Sequence, residues 1–129
     1  MAQARSTVLL AAVIALLVAA CDDKITTVVL RNEDDEFYFF QTIERGAARG
    51  TEAVLSPESI GLWQVPEGWR GTARLVERRS CDVIDELDVA GPDLLVVVRS
   101  GGFEVMTTVP NRDRNAARAL QTMDPARCL

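Results

Sequence analysis

Histidine is missing from this 129-residue sequence. Its absence removes the usual general base, the usual metal ligand and every Ser-His or Cys-His nucleophile pair. Carboxylate pairs hydrolyse glycosides in other proteins, but no Asp or Glu pair here is set apart by its surroundings. The sequence therefore predicts a protein that is not an enzyme, with no catalytic residue, no metal site and no cofactor.

Positive charge is scarce as well. Lys and Arg total 14 against 19 Asp and Glu, which gives a net charge of −5, and the basic residues are scattered along the chain. Proteins that bind nucleic acid cluster Lys and Arg against the phosphates, so the sequence predicts no nucleic-acid partner. The same acidity disfavours adhesion to anionic lipid, whereas it is compatible with a basic protein partner.

No apolar run in the sequence is long enough to cross a bilayer. The first run, residues 8–20, has 13 residues, whereas a spanning helix needs about 20. Arg5 precedes this run, and Cys21 followed by Asp22 ends it. A short apolar segment behind a positive charge is typical of a secretory signal peptide. Residues 1–20 are therefore predicted to form a cleaved signal helix.

The end of the run, Val18-Ala19-Ala20-Cys21, resembles the lipobox of bacterial lipoproteins. The resemblance implies that Cys21 receives a diacylglycerol, that cleavage occurs just before it, and that residues 21–24 are the lipidated N-terminus and tether. It implies a cell-envelope protein, lipid-anchored to the outward face of the plasma membrane or the periplasmic side of a bacterial membrane. The alternative is an ordinary signal peptide whose mature chain begins near a cysteine.

Only three cysteines are present. If Cys21 carries lipid, Cys81 and Cys128 remain, and an oxidising compartment would pair them. Such a bridge would close a loop of roughly 48 residues, stabilise the fold by about 4 kcal/mol and hold the C-terminal tail. The alternative is two free thiols with a redox or metal role, although no Cys-x-x-Cys spacing supports it.

Short apolar runs divided by Gly, Pro and Asp turns dominate residues 25–129, which we expect to form a single β-rich domain. About seven strands at such spacing predict a mainly β fold, a small antiparallel β-sandwich or barrel. The strand candidates are residues 25–30, 37–43, 53–55, 60–65, 72–78, 81–87, 94–98 and 103–109.

Turn signals suggest how these strands pair. The polar residues 32–36 separate the first two runs, which predicts a hairpin. Residues 94–98 are apolar throughout, as in a central strand buried on both faces. Gly101-Gly102 would turn this strand into a closing hairpin.

A short C-terminal helix is predicted from Arg114 to Met123. It would be capped near Asn111 or Asp113 and end before Asp124-Pro125. Its apolar face would carry Ala116, Leu120 and Met123.

Three groups of residues are candidates for binding. The acidic turn, residues 33–36, lacks the spaced ligands of a calcium loop and fits a solvated turn better. Most of the aromatic residues should face the core, and Tyr38, Phe40 and Trp69 are the best candidates for an exposed partner-binding surface. Three evenly spaced arginines would share one solvated strand face, namely Arg70, Arg74 and Arg78.

Two functions are compatible with these features. The first is a membrane-anchored lipoprotein whose β domain binds another envelope protein as an adaptor or structural subunit. The second is an inhibitor or immunity-type lipoprotein that blocks a basic envelope hydrolase through the acidic turn.

Overall fold

β-Branched and aromatic residues form strands along the part of the chain that the computed structural model describes, residues 25–129. The signal-peptide, lipidation and tether predictions for residues 1–24 lie outside the described residues. In chain order the elements are β1 Ile25–Asn32, β2 Tyr38–Glu44, β3 Thr51–Leu55, β4 Ile60–Pro66, β5 Gly71–Glu77, β6 Val83–Val89, β7 Leu94–Arg99, β8 Gly102–Met106, α1 Asn111–Ala116, β9 Arg118–Ala119 and β10 Gln121–Thr122.

The strands form two five-stranded sheets. The first sheet has the order β8-β7-β1-β4-β9, and the second has the order β10-β3-β2-β5-β6. Neighbouring strands run antiparallel except for β1 with β7 and β4 with β9, which are parallel. The prediction of a mainly β, antiparallel-rich fold with a short helix near the C-terminus is confirmed.

The two sheets share one core between their inner faces. Alternate residues of each strand point into it, as the two-residue period of a strand requires. Both sheets contribute buried side chains, among them Val28, Leu30, Phe40, Leu55, Leu75, Val96 and Val98. These contacts make the fold a sandwich.

Both open sides of the sandwich are closed by polar or backbone contacts. On one side, β9 adds to the first sheet and β10 to the second, so the chain crosses between the sheets at Leu120. The Leu120 amide donates to the Leu62 carbonyl at 3.0 Å. On the other side, the Phe103 amide of β8 donates to the Asp85 carboxylate of β6 at 2.7 Å. Edge strands that are paired or capped in this way resist pairing with other chains.

Helix α1 covers the outer face of the first sheet. Ala117, directly after the helix, packs against Val29, Leu95 and Val97 of this face. Asp113 lies inside the helix and is buried, and its carboxylate pairs with Arg31 of β1 at 2.9 Å. This contact fixes the helix on the sheet.

The C-terminal tail lies against the second sheet through Glu52. This β3 side chain is 1% exposed and accepts hydrogen bonds from the Arg127 amide at 2.7 Å and the Cys128 amide at 3.1 Å. It also accepts one from the Gln41 side chain at 2.7 Å. The tail then ends at the disulfide between Cys128 and Cys81.

The predicted pairings are confirmed in part. β7 and β8 form the expected hairpin, and β7 is buried on both faces. The predicted hairpin between the first two strands is wrong, because β1 pairs with β4 and β7 while β2 pairs with β3 and β5 in the other sheet. Their connecting turn therefore crosses from one sheet to the other.

The predicted helix from Arg114 to Met123 is also wrong in its bounds. The helix is Asn111–Ala116, and Pro110 precedes it without a side-chain cap. Leu120 and the strands beside it are extended because they pair with β4 and β3. Sheet pairing outweighs the local helical pattern here.

Candidate binding surfaces

The two ends of the sandwich carry different loops. We call the end where β1 begins at Ile25 the entry end, and the opposite end the far end. The entry end has the loops 45–50, 67–70 and 90–93, and the far end has the turns 33–37, 56–59, 78–82 and 100–101.

Two of the predicted partner-binding aromatics are in the core. Tyr38 is 5% exposed and Phe40 is 2% exposed, so the prediction that they are exposed is wrong. Phe40 makes edge-to-face contacts with Trp63 and Phe103, with ring centroids 5.8 and 6.3 Å apart. Their strand points its even-numbered residues into the sandwich, which leaves no aromatic docking surface at these two positions.

Trp69 is the third predicted aromatic. It is half-buried on the loop between β4 and β5, with its ring centroid 4.9 Å from that of Trp63. Gly71 permits this packing, because a Cβ there would meet the Trp69 ring at 2.4 Å. Trp69 thus keeps a partly accessible ring at the entry end.

The acidic turn is fastened to the turn between β7 and β8 through Asp34. Its carboxylate accepts hydrogen bonds from the amides of Ser100 at 2.8 Å and Gly101 at 3.0 Å, and from the Tyr38 hydroxyl at 2.8 Å. Burial by itself raises the pKa of the Asp34 carboxyl, but these hydrogen bonds outweigh it and hold the pKa below its ordinary value. The Asp34 carboxylate therefore stabilises the turns of the far end, and its oxygens are engaged within the fold.

Its neighbour Glu33 is engaged with two arginines. Its carboxylate lies 3.1 Å from Arg31 and 2.6 Å from Arg99. The pKa of Tyr38, whose hydroxyl donates to Asp34, is raised by burial, by that hydrogen bond and by the nearby carboxylates. Within the acidic turn, the exposed acids are Glu33, Asp35 and Glu36, and only the last two have no ion pair among the described residues.

The three evenly spaced arginines have separate surroundings. Only Arg74 lies within β5, where it pairs across the sheet with Glu86 at 3.0 Å. Arg78 lies over the Phe37 ring at 4.9 Å at the far end. Arg70 belongs to an entry-end loop, so the predicted shared strand face is wrong.

The disulfide joins the far-end turn to the tail. Cys81 and Cys128 are bonded, with their Cα atoms 5.2 Å apart. The predicted pairing is confirmed, which leaves no free thiol for the redox or metal alternative among the described residues. Together with the hydrogen bonds from Arg127 and Cys128 to Glu52, the bond holds this segment against the second sheet.

Sequence reasoning missed an exposed apolar edge on β6. Val83 is 45% exposed and Ile84 is 40% exposed, although both belong to a strand. β6 pairs with β5 on one side only, and its exposed acids are Glu86 and Asp88, with Asp82 just before it. Only residues 86–89 of this strand alternate between acidic and apolar, and the consecutive Val83 and Ile84 give no sequence signal of their exposure.

The entry end carries two open clefts. One, of about 670 Å³, is lined by Ile25, Trp69 and Arg70 among others. The other, of about 590 Å³, lies between Arg45 and Arg70. The Arg45 amide donates to the Arg70 carbonyl at 2.9 Å, which joins the two loops that carry these arginines.

Among residues 25–129, no group of His, Cys, Asp and Glu has an arrangement that could hold a metal ion. Over the same residues, no helix is long and apolar enough to cross a membrane. Comparison of the chain with protein-family models, with curated proteins and with solved structures finds no match.

Proposed function

We propose that this protein is a non-catalytic lipoprotein of the bacterial cell envelope, anchored through lipid on Cys21, whose β-sandwich binds another envelope protein. The observation that carries the proposal is the use of the cysteines. Two of the three are bonded to each other, which fits an oxidising compartment. The third directly follows the lipobox-like Val18-Ala19-Ala20.

The position of Ile25 supports an anchored arrangement. Three residues separate Cys21 from Ile25, where the first strand begins. A fully extended chain spans at most about 3.6 Å per residue, so a lipid on Cys21 would hold the entry end within roughly 14 Å of the bilayer surface. The far end would then face away from the membrane, about 23 Å further out along β1.

The exposed edge of β6 is the surface that best fits a protein partner. Val83 and Ile84 lie near the far end, where a partner beyond the membrane surface has access. Acidic residues flank them, so the complementary surface is apolar with a basic surround. The side of β6 that faces away from β5 is capped by the contact between Asp85 and Phe103, so a partner would contact the exposed side chains of β6 and would not add a strand to it.

Anchoring is tested by fractionation of cells that produce the full chain or its Cys21→Ser variant. The proposal predicts that the native chain sediments with membranes and is released by detergent, because two or more acyl chains anchor a protein stably. The variant should lose the lipid. A variant with both Cys81→Ser and Cys128→Ser is the control, and it should still be lipidated. Equal lipid incorporation, or none, in the native chain and Cys21→Ser would overturn the proposal.

Partner binding is tested with a photo-crosslinking residue placed at Ile84 or, as a control, at Arg118. Arg118 is exposed on β9, on the opposite side of the sandwich. We expect a discrete adduct with one envelope protein from position 84 that Val83→Lys abolishes. Identical adducts from both positions would contradict a docking surface on β6.

The inhibitor alternative retains one specific observation in its favour. Asp35 and Glu36 are exposed beside Phe37 around a cleft of about 220 Å³. The alternative predicts that Asp35→Asn with Glu36→Gln weakens salt-sensitive binding to a basic hydrolase. It has less support than the first proposal because Glu33 and Asp34 are engaged within the fold.

A further inference from the structure

Three arginines at the entry end are among the eight arginines of residues 25–129 that form no ion pair. Arg31, Arg74, Arg99 and Arg114 pair with carboxylates. Arg45, Arg49 and Arg70 are exposed and, within the part of the chain that the structure describes, have no carboxylate oxygen within 4.0 Å. Their guanidinium groups are thus available to an anion from outside the protein.

Two of these arginines are held as neighbours by the backbone. The hydrogen bond from the Arg45 amide to the Arg70 carbonyl joins their loops, and both side chains line the same cleft. Arg49 lies on the same loop as Arg45. The cleft between Arg45 and Arg70 is also lined by the acids Glu44 and Asp88, and Arg49 lies outside it.

Apolar groups lie beside the arginines. Ile25 is 57% exposed and lines a cleft together with Trp69 and Arg70. Trp and Arg together suit a membrane interface, because the ring sits at headgroup level while the guanidinium reaches phosphate.

We propose that the entry end is a membrane-contact surface on which Arg45, Arg49 and Arg70 bind the phosphate groups of phospholipids. The inference rests on the proposed anchor, because three residues between Cys21 and Ile25 hold this end close to the bilayer. Guanidinium binds phosphate through two parallel hydrogen bonds, which makes arginine better suited to this contact than lysine. The domain would therefore rest on the membrane in one orientation, with the start of β6 at Val83 and Ile84 turned away from it.

Acidic residues at the entry end offset the positive charge of the three arginines. Glu44, Glu67 and Asp88 are exposed there, so the three arginines do not give this end a large positive charge. Long-range attraction to anionic lipid is weak for such a surface. The contact depends instead on direct hydrogen bonds from the arginines to phosphate.

The test uses the lipidated protein purified from membranes and reconstituted into vesicles of phosphatidylcholine and phosphatidylglycerol. Trp63 and Trp69 both lie toward the entry end, so quenching of their fluorescence by lipids brominated near the headgroup reports contact. We expect quenching in the native protein and its loss in Arg45→Gln with Arg49→Gln and Arg70→Gln.

The matched control is Arg78→Gln with Arg79→Gln at the far end, which should leave quenching unchanged. Circular dichroism checks that both variants are folded. Equal quenching in the native protein and the triple variant, or no quenching in either while both float with the vesicles, would overturn the membrane-contact surface. Failure of the native protein to float with vesicles would instead show that the anchor proposal has failed.

Discussion

At the scale of single residues, Asp34 joins its own turn to the turn at Ser100 and Gly101 by two hydrogen bonds and accepts a third from the Tyr38 hydroxyl. Asp34→Asn keeps the shape of the side chain, but it removes the negative charge and places the NH₂ group of the side chain against an N–H or O–H donor. We expect the free energy of unfolding to fall by about 1.5 kcal/mol at neutral pH. Urea denaturation measures the change, and Asp35→Asn, on the exposed neighbour, should stay within about 0.5 kcal/mol of the native protein.

The Asp34 carboxylate also makes the free energy of unfolding depend on pH in a known direction. The pKa of Asp34 in the folded protein lies below its ordinary value of 3.8, so its stabilisation is complete above that pH and is lost as pH falls through the lowered pKa. The difference in unfolding free energy between the native protein and Asp34→Asn should therefore be constant near neutrality and shrink below about pH 4. A difference that grows on acidification would contradict this role.

Glu52 gives the second prediction at this scale. Its two carboxylate oxygens accept hydrogen bonds from Gln41, Arg127 and Cys128 in a buried position. Glu52→Gln puts an NH₂ group against at least one of these donors, so we expect a loss of about 2 kcal/mol and faster amide hydrogen exchange in residues 123–128. Glu58→Gln, on an exposed turn, is the control. Unchanged exchange in the tail would show that Glu52 does not hold it.

Residue-level predictions from sequence succeeded for the Cys81–Cys128 pair and failed for two aromatics, Tyr38 and Phe40. Cys81 and Cys128 were predictable because only three cysteines exist and the chain has a signal-like leader. Tyr38, Phe39 and Phe40 are consecutive and all buried, so their pattern does not alternate. Which of them face the core depends on what covers the outer face of the sheet, and the sequence does not show that the C-terminal tail lies there.

At the scale of elements, the sequence predicted the strands better than their partners. Apolar runs locate strands because each run must be buried. Pairing between β1 and β7 joins residues 28 and 94, and no local pattern encodes such a distant contact. The helix prediction failed for the same reason, since the segment around Leu120 has a helical period but completes both sheets.

The stability of this segment can be tested at Leu120. It packs against the sandwich core between β9 and β10, and Leu120→Ala should lower the free energy of unfolding by about 2 to 3 kcal/mol. Leu129→Ala, with a leucine that is 51% exposed, is the matched control and should change it by less than about 0.5 kcal/mol. Thermal and urea unfolding measure both, and equal small losses would mean that the crossing at Leu120 is not a packing contact.

At the scale of the whole molecule, the fold separates two surfaces. The entry end carries the loops next to the proposed anchor, with arginines and Trp69, and the far end carries the acidic turn and the start of β6. The fold class was predictable from the sequence, whereas neither surface was, because each is built from loops that are distant along the chain. Arg45 and Arg70, for example, meet through one backbone hydrogen bond.

We propose that one cysteine carries lipid, and the other two form the disulfide. The intact mass of the protein from a native membrane fraction, before and after reduction and alkylation, tests both roles in one experiment. We expect a chain that begins at Cys21 with added acyl mass and two thiols that alkylate only after reduction. An unmodified Cys21, or a chain that keeps residues 1–20, would contradict it.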